Sequence, residues 1–473
     1  MCASSADNFR AVLQQGVDRG IYRDLAVGWI DGSHRQSWFF GKGEKPTAES
    51  QFEIGAVTQV FTGLLLGQAI YDGKLKLEST VGGLLGAGFS FADSAVAGIT
   101  LKSLATHRSG LRMVPSNLFP EDVDDPYATY SSRDLLFWLV NSPHAIGDDT
   151  LSYSILDSGL LGFLLARQYA GGFKTVLRDH VLGPMGLKHT DFRDAPILLS
   201  GYSAQGLPAA HWHFDVLAGA AGLRSSLSDL LHFVQQNLRP GDSALRASIL
   251  LARQPYASTS LSEQVGLGWN IFMTHDGEQS WPLVWSASRT GGFSAFVGFR
   301  TDKQQGLVLL GNCDVDLSAI GVAWLDGRAP PDLPKVAKDQ SVVHADEFAG
   351  LYEAANLSDV IVRNGTAGLT AQWPGQAPVE LEFVGQDIFT APGLALTLSF
   401  QRESGKVINV VIDHAGVNVL ARRLSASAPR LARASMTMAA SLREEISGDY
   451  RFDAHNLIRI RSTATDLTLQ MTA

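Results

Sequence analysis

The stretch Phe52-Glu53-Ile54-Gly55-Ala56-Val57-Thr58-Gln59-Val60-Phe61-Thr62 governs how the rest of the chain is read. From it, apolar residues recur at helical spacing through Val60, Phe61, Leu64, Leu65 and Ile70, and the run ends at Gly73. That pattern predicts a buried helix over residues 56–72. A helix start offers free backbone N–H groups and the positive end of the helix dipole, which suit a developing negative charge. Residues three apart share a helix face, so Ala56 and Gln59 are neighbours there. A methyl cannot attack a carbonyl, and a neutral amide cannot take up a proton.

On either side the pattern changes. Residues 25–40 alternate apolar and polar around Asp31-Gly32, which predicts a hairpin. Helical patterns separated by Gly, Pro and Asn loops fill residues 80–235, as in Ser132 to Asn141, Gly159 to Gln168 and Ser228 to Gln236. Strand character returns in Leu267 to Phe272, Ala295 to Phe299 and Gly306 to Leu310. Strands at both ends of a helical middle imply one antiparallel sheet with helices against it. A Pro-rich polar segment around 326–340 reads as a linker, and an all-strand pattern follows it. Glu445-Ile446-Ser447-Gly448-Asp449-Tyr450 repeats Glu347 to Tyr352 at an offset of 98 (445 − 347). The same offset pairs Val360 with Ile458 and Leu369 with Leu467. The end of the chain is thus a truncated duplicate, a set of strands completing another sheet edge, or a frayed tail.

Five ordered strings resemble one family, the serine β-lactamase-like and penicillin-binding-protein-like hydrolases. The first is residues 52–62, where the family usually reads F-x-I-G-S-x-T-K-x-F-T. The second is Leu104-Ala105-Thr106-His107-Arg108-Ser109-Gly110-Leu111. The others are Tyr153 to Gly162, Ala218 to Ser226 and Ser286 to Phe293, with a weaker likeness in Gly183 to Thr190. The resemblance implies an α/β fold, an antiparallel sheet flanked by helices plus a helical lobe, followed by a small all-β, lipocalin-like barrel. It divides the chain into 1–330 (lobe about 75–235), a linker 331–345, a β domain 346–425 and a partial repeat or tail 426–473.

Against the family's three catalytic motifs this chain departs almost throughout. The acylated Ser is Ala56 and the Lys that helps deprotonate it is Gln59. In Y-x-N the Tyr remains as Tyr153, but the Asn is Ile155. In the strand motif K-T-G or H-x-G, the His or Lys is Ser286 and the Gly is Ser288. That strand lines the acyl site and presents a backbone N–H to the oxyanion, so the family's close approach needs a small residue. Tyr153 is the retained motif residue, and Tyr153, Ser154, Trp285, Arg289 and Thr290 are the expected ligand-facing set.

Each candidate has a plainer reading. Arg289 clamps a carboxylate or phosphate, or is a surface arginine at a strand end. His107 packs within its loop. His211 and His213 bracket Trp212 as a metal-competent pair, yet no third ligand is suggested, so no metal and no cofactor are expected. Ser154 and Ser286 are hydroxyls without an evident base. Ala56, Ile155 and Ala287 favour an apolar ligand.

Composition sets outer bounds. With 45% hydrophobic and 18% charged residues in 473, the chain can bury a sizeable core. A net charge of −9 without like-charge blocks argues against nucleic acid as a partner. Two cysteines, Cys2 and Cys313, are too few for a disulfide framework or thiolate zinc site. No apolar run spans a membrane, and the first twenty residues hold no signal core. A cytoplasmic protein is therefore expected, or an exported lipoprotein if Cys2 is a mature N-terminus. Function reads as a small-molecule site in the old cleft. The site either binds only or carries non-hydrolytic chemistry such as cyclisation or isomerisation in secondary metabolism. A serine hydrolase with a replacement nucleophile is the alternative.

Overall fold

A computed structural model describes residues 5–425 apart from short stretches, the longest at 142–150 and 334–344, and then strands within 448–472. The linker expectation falls largely outside the described residues, and so does Cys2. Within this protein α1 (Ser5–Asp18) precedes the predicted hairpin, β1 (Leu25–Asp31) and β2 (His34–Phe40). Its two-residue turn is possible because Gly32 adopts φ 59°, a left-handed value that a side chain resists. β3 (Asn270–Asp276), β4 (Gln279–Arg289), β5 (Ser294–Arg300) and β6 (Gln305–Gly311) complete the sheet with two short edge strands, in the order β2-β1-β6-β5-β4-β3 and then the edge. β1 pairs antiparallel with β6, so the sheet is assembled from both ends of the domain, as the sequence implied.

Period-two alternation splits the core into two layers. Ala26 and Ile30 of β1 face one way with Val308 and Leu310 of β6, against α4 (Leu227–Leu238). Val27 and Trp29 face the other way with Leu307 and Leu309, against α1 and α5 (Ser318–Asp326). Trp324 of α5 stacks on Phe9 and Trp29 at 4.8 and 5.5 Å. Gly28 is required by close approach: a Cβ there would lie 2.7 Å from Leu231 of α4.

The central helix α2 (Thr58–Tyr71) is buried all round, and Phe61 packs on Phe233 at 4.4 Å. It starts two residues later than predicted, because Gly55–Val57 form a tighter 3-10 turn. β3 likewise begins at Asn270 rather than Leu267, since Gly268 at φ 78° turns the chain first. α3 (Ile155–Gln168) lies against α2 in the same layer.

After the sheet domain comes a separate closed barrel of eight antiparallel strands between Gly350 and Ser425. Phe348, Tyr352, Phe389 and Phe400 fill its interior, so it is a packed core. Residues 1–427 form one compact unit and 428–473 another. The terminal unit is a three-stranded sheet, Gly448–Arg451, Leu457–Ser462 and Leu467–Thr472. It copies the barrel's first three strands in register as well as in sequence. Gly350↔Val362 becomes Gly448↔Ile460, and Ile361↔Gln372 becomes Arg459↔Gln470, each displaced by 98 (448 − 350).

Candidate functional site

The chain reaches α2 through Phe52, which pairs with Ser225, and then through Gly55 at φ 46°. No side chain caps the turn at Ile54. The Ala56 N–H donates instead to Ser288 Oγ of β4 at 2.6 Å. Ser288 is pressed against Gly55 so closely that a Cβ at that glycine would lie 2.2 Å from the hydroxyl.

One turn along α2, Gln59 is held at both ends. Its Nε2 donates to Tyr153 Oη at 3.0 Å, and its Oε1 lies 3.0 Å from His107 Nε2. The Ser154 N–H reaches His107 Nδ1 at 3.3 Å. Nδ1 is then the acceptor and Nε2 carries the proton, an assignment drawn from the bonding pattern. The chain therefore runs Ser154 N–H to His107, His107 to Gln59 and Gln59 to Tyr153, which leaves the Tyr153 O–H hydrogen available to donate. Burial pushes the Tyr153 hydroxyl up to about 12, against the pull of the Gln59 hydrogen bond. At neutral pH it is a donor and not a base. His107 adopts φ 54°, a left-handed strain for a non-glycine residue. That conformation accompanies a ring turned towards Gln59 and 4.9 Å from the Tyr153 ring. The sequence reading kept His107 within its loop; a side chain that bridges two elements is not legible from a loop motif.

Ser154 is fully buried. It caps α3 by accepting from the Asp157 N–H at 3.0 Å, and its hydroxyl donates to Arg112 O at 2.7 Å. The expected ligand-facing role for Ser154 gives way to this structural one. Ile155 begins α3 inside the main apolar cluster. Two residues on, Asp157 accepts from Ser109, and one carboxylate oxygen sits 3.6 Å from His107 Nδ1. Burial raises its pKa, and the His107 and Ser109 contacts oppose that shift.

Alternation along β4 separates the remaining candidates. Val284 belongs to the α2 layer, and the buried Ser286 and the half-buried Ser288 share its face. Trp285 and Ala287 belong to the opposite layer, where Trp285 stacks on Phe296 at 6.0 Å. Trp285 is therefore half-buried against the second core layer and does not face Ala56, and Ala287 does not line the cleft. Arg289 has the same parity as Trp285, and its Nη1 lies 3.5 Å from Asp314 Oδ1. Burial lifts Asp314 to about 6 against the pull of Arg289, and Glu382 of the barrel adds to the rise. Thr290 is buried beside Gly55, and its N–H closes the β4–β5 turn onto Phe293 O at 2.9 Å.

The sequence reading gave Glu53 no role and did not single out Trp212 for the cleft. Glu53 Oε1 accepts from the Trp212 N–H at 3.0 Å and lies 2.9 Å from His211 Nδ1. Trp212 thereby covers Gly291, where a Cβ would lie 2.9 Å from the indole nitrogen. His213 bridges Asp125 and Asp194 at 2.6 and 2.9 Å. Burial lowers its pKa, but these two hydrogen bonds outweigh burial and leave it raised. The histidine pair is thus spent on three separate carboxylates. Among the described residues no cluster of three His, Cys, Asp or Glu side chains could hold a metal ion, and no helix is long and apolar enough to cross a membrane. Cys313 is a free, buried thiol, and burial moves its pKa upwards. A separate cavity of about 430 Å³, lined by Tyr22, Arg23, Lys42, Tyr202 and Cys313, shares no lining residue with the Ala56–Tyr153 group.

The sequence and the fold have known counterparts. A β-lactamase from Pseudomonas fluorescens is 27% identical over 61% of this chain and 88% of its own length. One from Escherichia coli is 29% identical over 60% of this chain and 81% of its own. Among solved structures, a class C β-lactamase from Rhodobacter sphaeroides superposes with a TM-score of 0.57 at 19% identity, covering 65% of this chain and 94% of that one. At that identity the likeness shows the fold. The family model described as Beta-lactamase matches residues 9–326, well over half of the 473. The chain belongs to the β-lactamase family.

Proposed function

We propose that this protein holds a small, rather apolar molecule in the cleft at the start of α2 and forms no acyl intermediate there. The observation that carries this reading is Gln59. It stands one turn from a methyl group, and its amide is already engaged by Tyr153 and His107. No group at positions 56 and 59 can attack a carbonyl or take up the proton. In serine hydrolases, losing the nucleophile alone costs about 10⁶ in rate, and further losses in the same unit add little. The relatives' names point to β-lactam hydrolysis, a reading that needs a replacement nucleophile. Ser154 is spent on capping and Ser288 on the Ala56 N–H, which disfavours both for that role.

A second reading is non-hydrolytic chemistry, such as isomerisation or cyclisation. It is favoured by the available Tyr153 O–H, which can polarise an acceptor on a bound molecule. Native mass spectrometry after incubation with a metabolite extract from the source organism tests both. A retained small molecule, weakened by Tyr153→Phe, supports binding, and new product masses lost in Tyr153→Phe support turnover. A spectrum without retained mass or products contradicts the proposal.

A further inference from the structure

We propose that Ser288 acts as a built-in occupant of the carbonyl-oxygen position and closes this cleft to acyl ligands. The inference rests on the non-acylating reading above and adds the class of ligand that is excluded: esters, amides and lactams seated through their carbonyl. The Ala56 N–H lies at the turn into α2, where a carbonyl oxygen would seek a donor. At 2.6 Å that donor already serves Ser288 Oγ. The same hydroxyl lies 3.3 Å from Arg289 O, so it accepts from one side of the position and donates to the other. It cannot drift aside freely, because the Gly55 backbone is packed against Ser288 Oγ and Cβ. A ligand carbonyl would have to break a short hydrogen bond and also find room that the hydroxyl fills. A ligand for this cleft instead places its acceptor on the Tyr153 O–H, the donor that the His107–Gln59 chain leaves available.

The test uses full-length protein, with benzylpenicillin as the probe, titrated by calorimetry into wild type, Ser288→Ala and Ser288→Gly. Ser288→Ala removes only the hydroxyl, and Ser288→Gly also removes the Cβ beside Gly55. Reversible binding is expected to tighten at least about tenfold in Ser288→Gly, with Ser288→Ala between it and wild type. A second measurement reads the wild type itself. In ¹⁵N-alanine-labelled protein the Ala56 amide, assigned by its loss in Ala56→Gly, should exchange with solvent far more slowly than a free amide. An Ala56 amide that exchanges at the free rate overturns the assignment, as does equal binding by wild type and both variants. Turnover of benzylpenicillin by wild type would overturn it together with the non-acylating reading, whereas equal reversible binding would leave that reading standing.

Discussion

Ser288 Oγ accepts from the Ala56 N–H, and on the proposed reading it keeps that place when a serine and a lysine are put at positions 56 and 59. The double substitution Ala56→Ser with Gln59→Lys is therefore expected to hydrolyse p-nitrophenyl acetate within about tenfold of wild type. Recovery by several orders of magnitude would show that Ile155, Ser286 and Ser288 leave the site competent. Asp314 gives a second prediction at this scale. Its folded pKa, about 6, lies above the ordinary 3.8, so the folded protein holds this proton more tightly than the unfolded chain. The stability that this proton contributes is present below pH 3.8 and is lost as pH rises through about 6. Asp314→Asn imitates the protonated form, and should stabilise by up to about 3 kcal/mol at pH 8 and by little at pH 4. Urea denaturation at both pH values decides this, and an equal effect at both would contradict it. At this scale the sequence was legible where a substitution changes chemistry outright, as at Ala56 and Gln59. It was not legible where a hydroxyl crosses to another element, as from Ser288 to Ala56.

At the scale of elements, α2 was readable because apolar residues recur at helical spacing through Val60, Phe61, Leu64, Leu65 and Ile70. Its burial comes from packing on every side, with Phe61 against Phe233 as the central aromatic contact. Phe61→Ala should cost about 3–5 kcal/mol, measured as a lowered denaturant midpoint with unchanged slope. A loss below 1 kcal/mol would mean that the α2–α4 contact is not a central part of the core. The faces of β4 were also legible, since period two separates Trp285 from Ser286, yet a motif read as a string ignores that alternation. The misplacement of Trp285 as a ligand contact came from that omission. Helix ends needed more than pattern: Gly55 and Gly268 move the starts of α2 and β3 through left-handed backbone that periodicity does not encode.

At the scale of the molecule, the antiparallel sheet closed from both ends and the following barrel were both visible in the order of strand and helix patterns. The repeat at offset 98 was visible as sequence, and its matching register shows that the same pairings recur in the terminal strands. That unit is compact in itself.

On the proposed reading this family scaffold does not acylate. The most direct test is the intact mass of full-length protein after incubation with excess benzylpenicillin or an activated acyl ester. An unchanged mass and an undiminished probe are expected. A stoichiometric adduct of the acyl mass, or steady loss of the probe to its hydrolysis product, would contradict that reading.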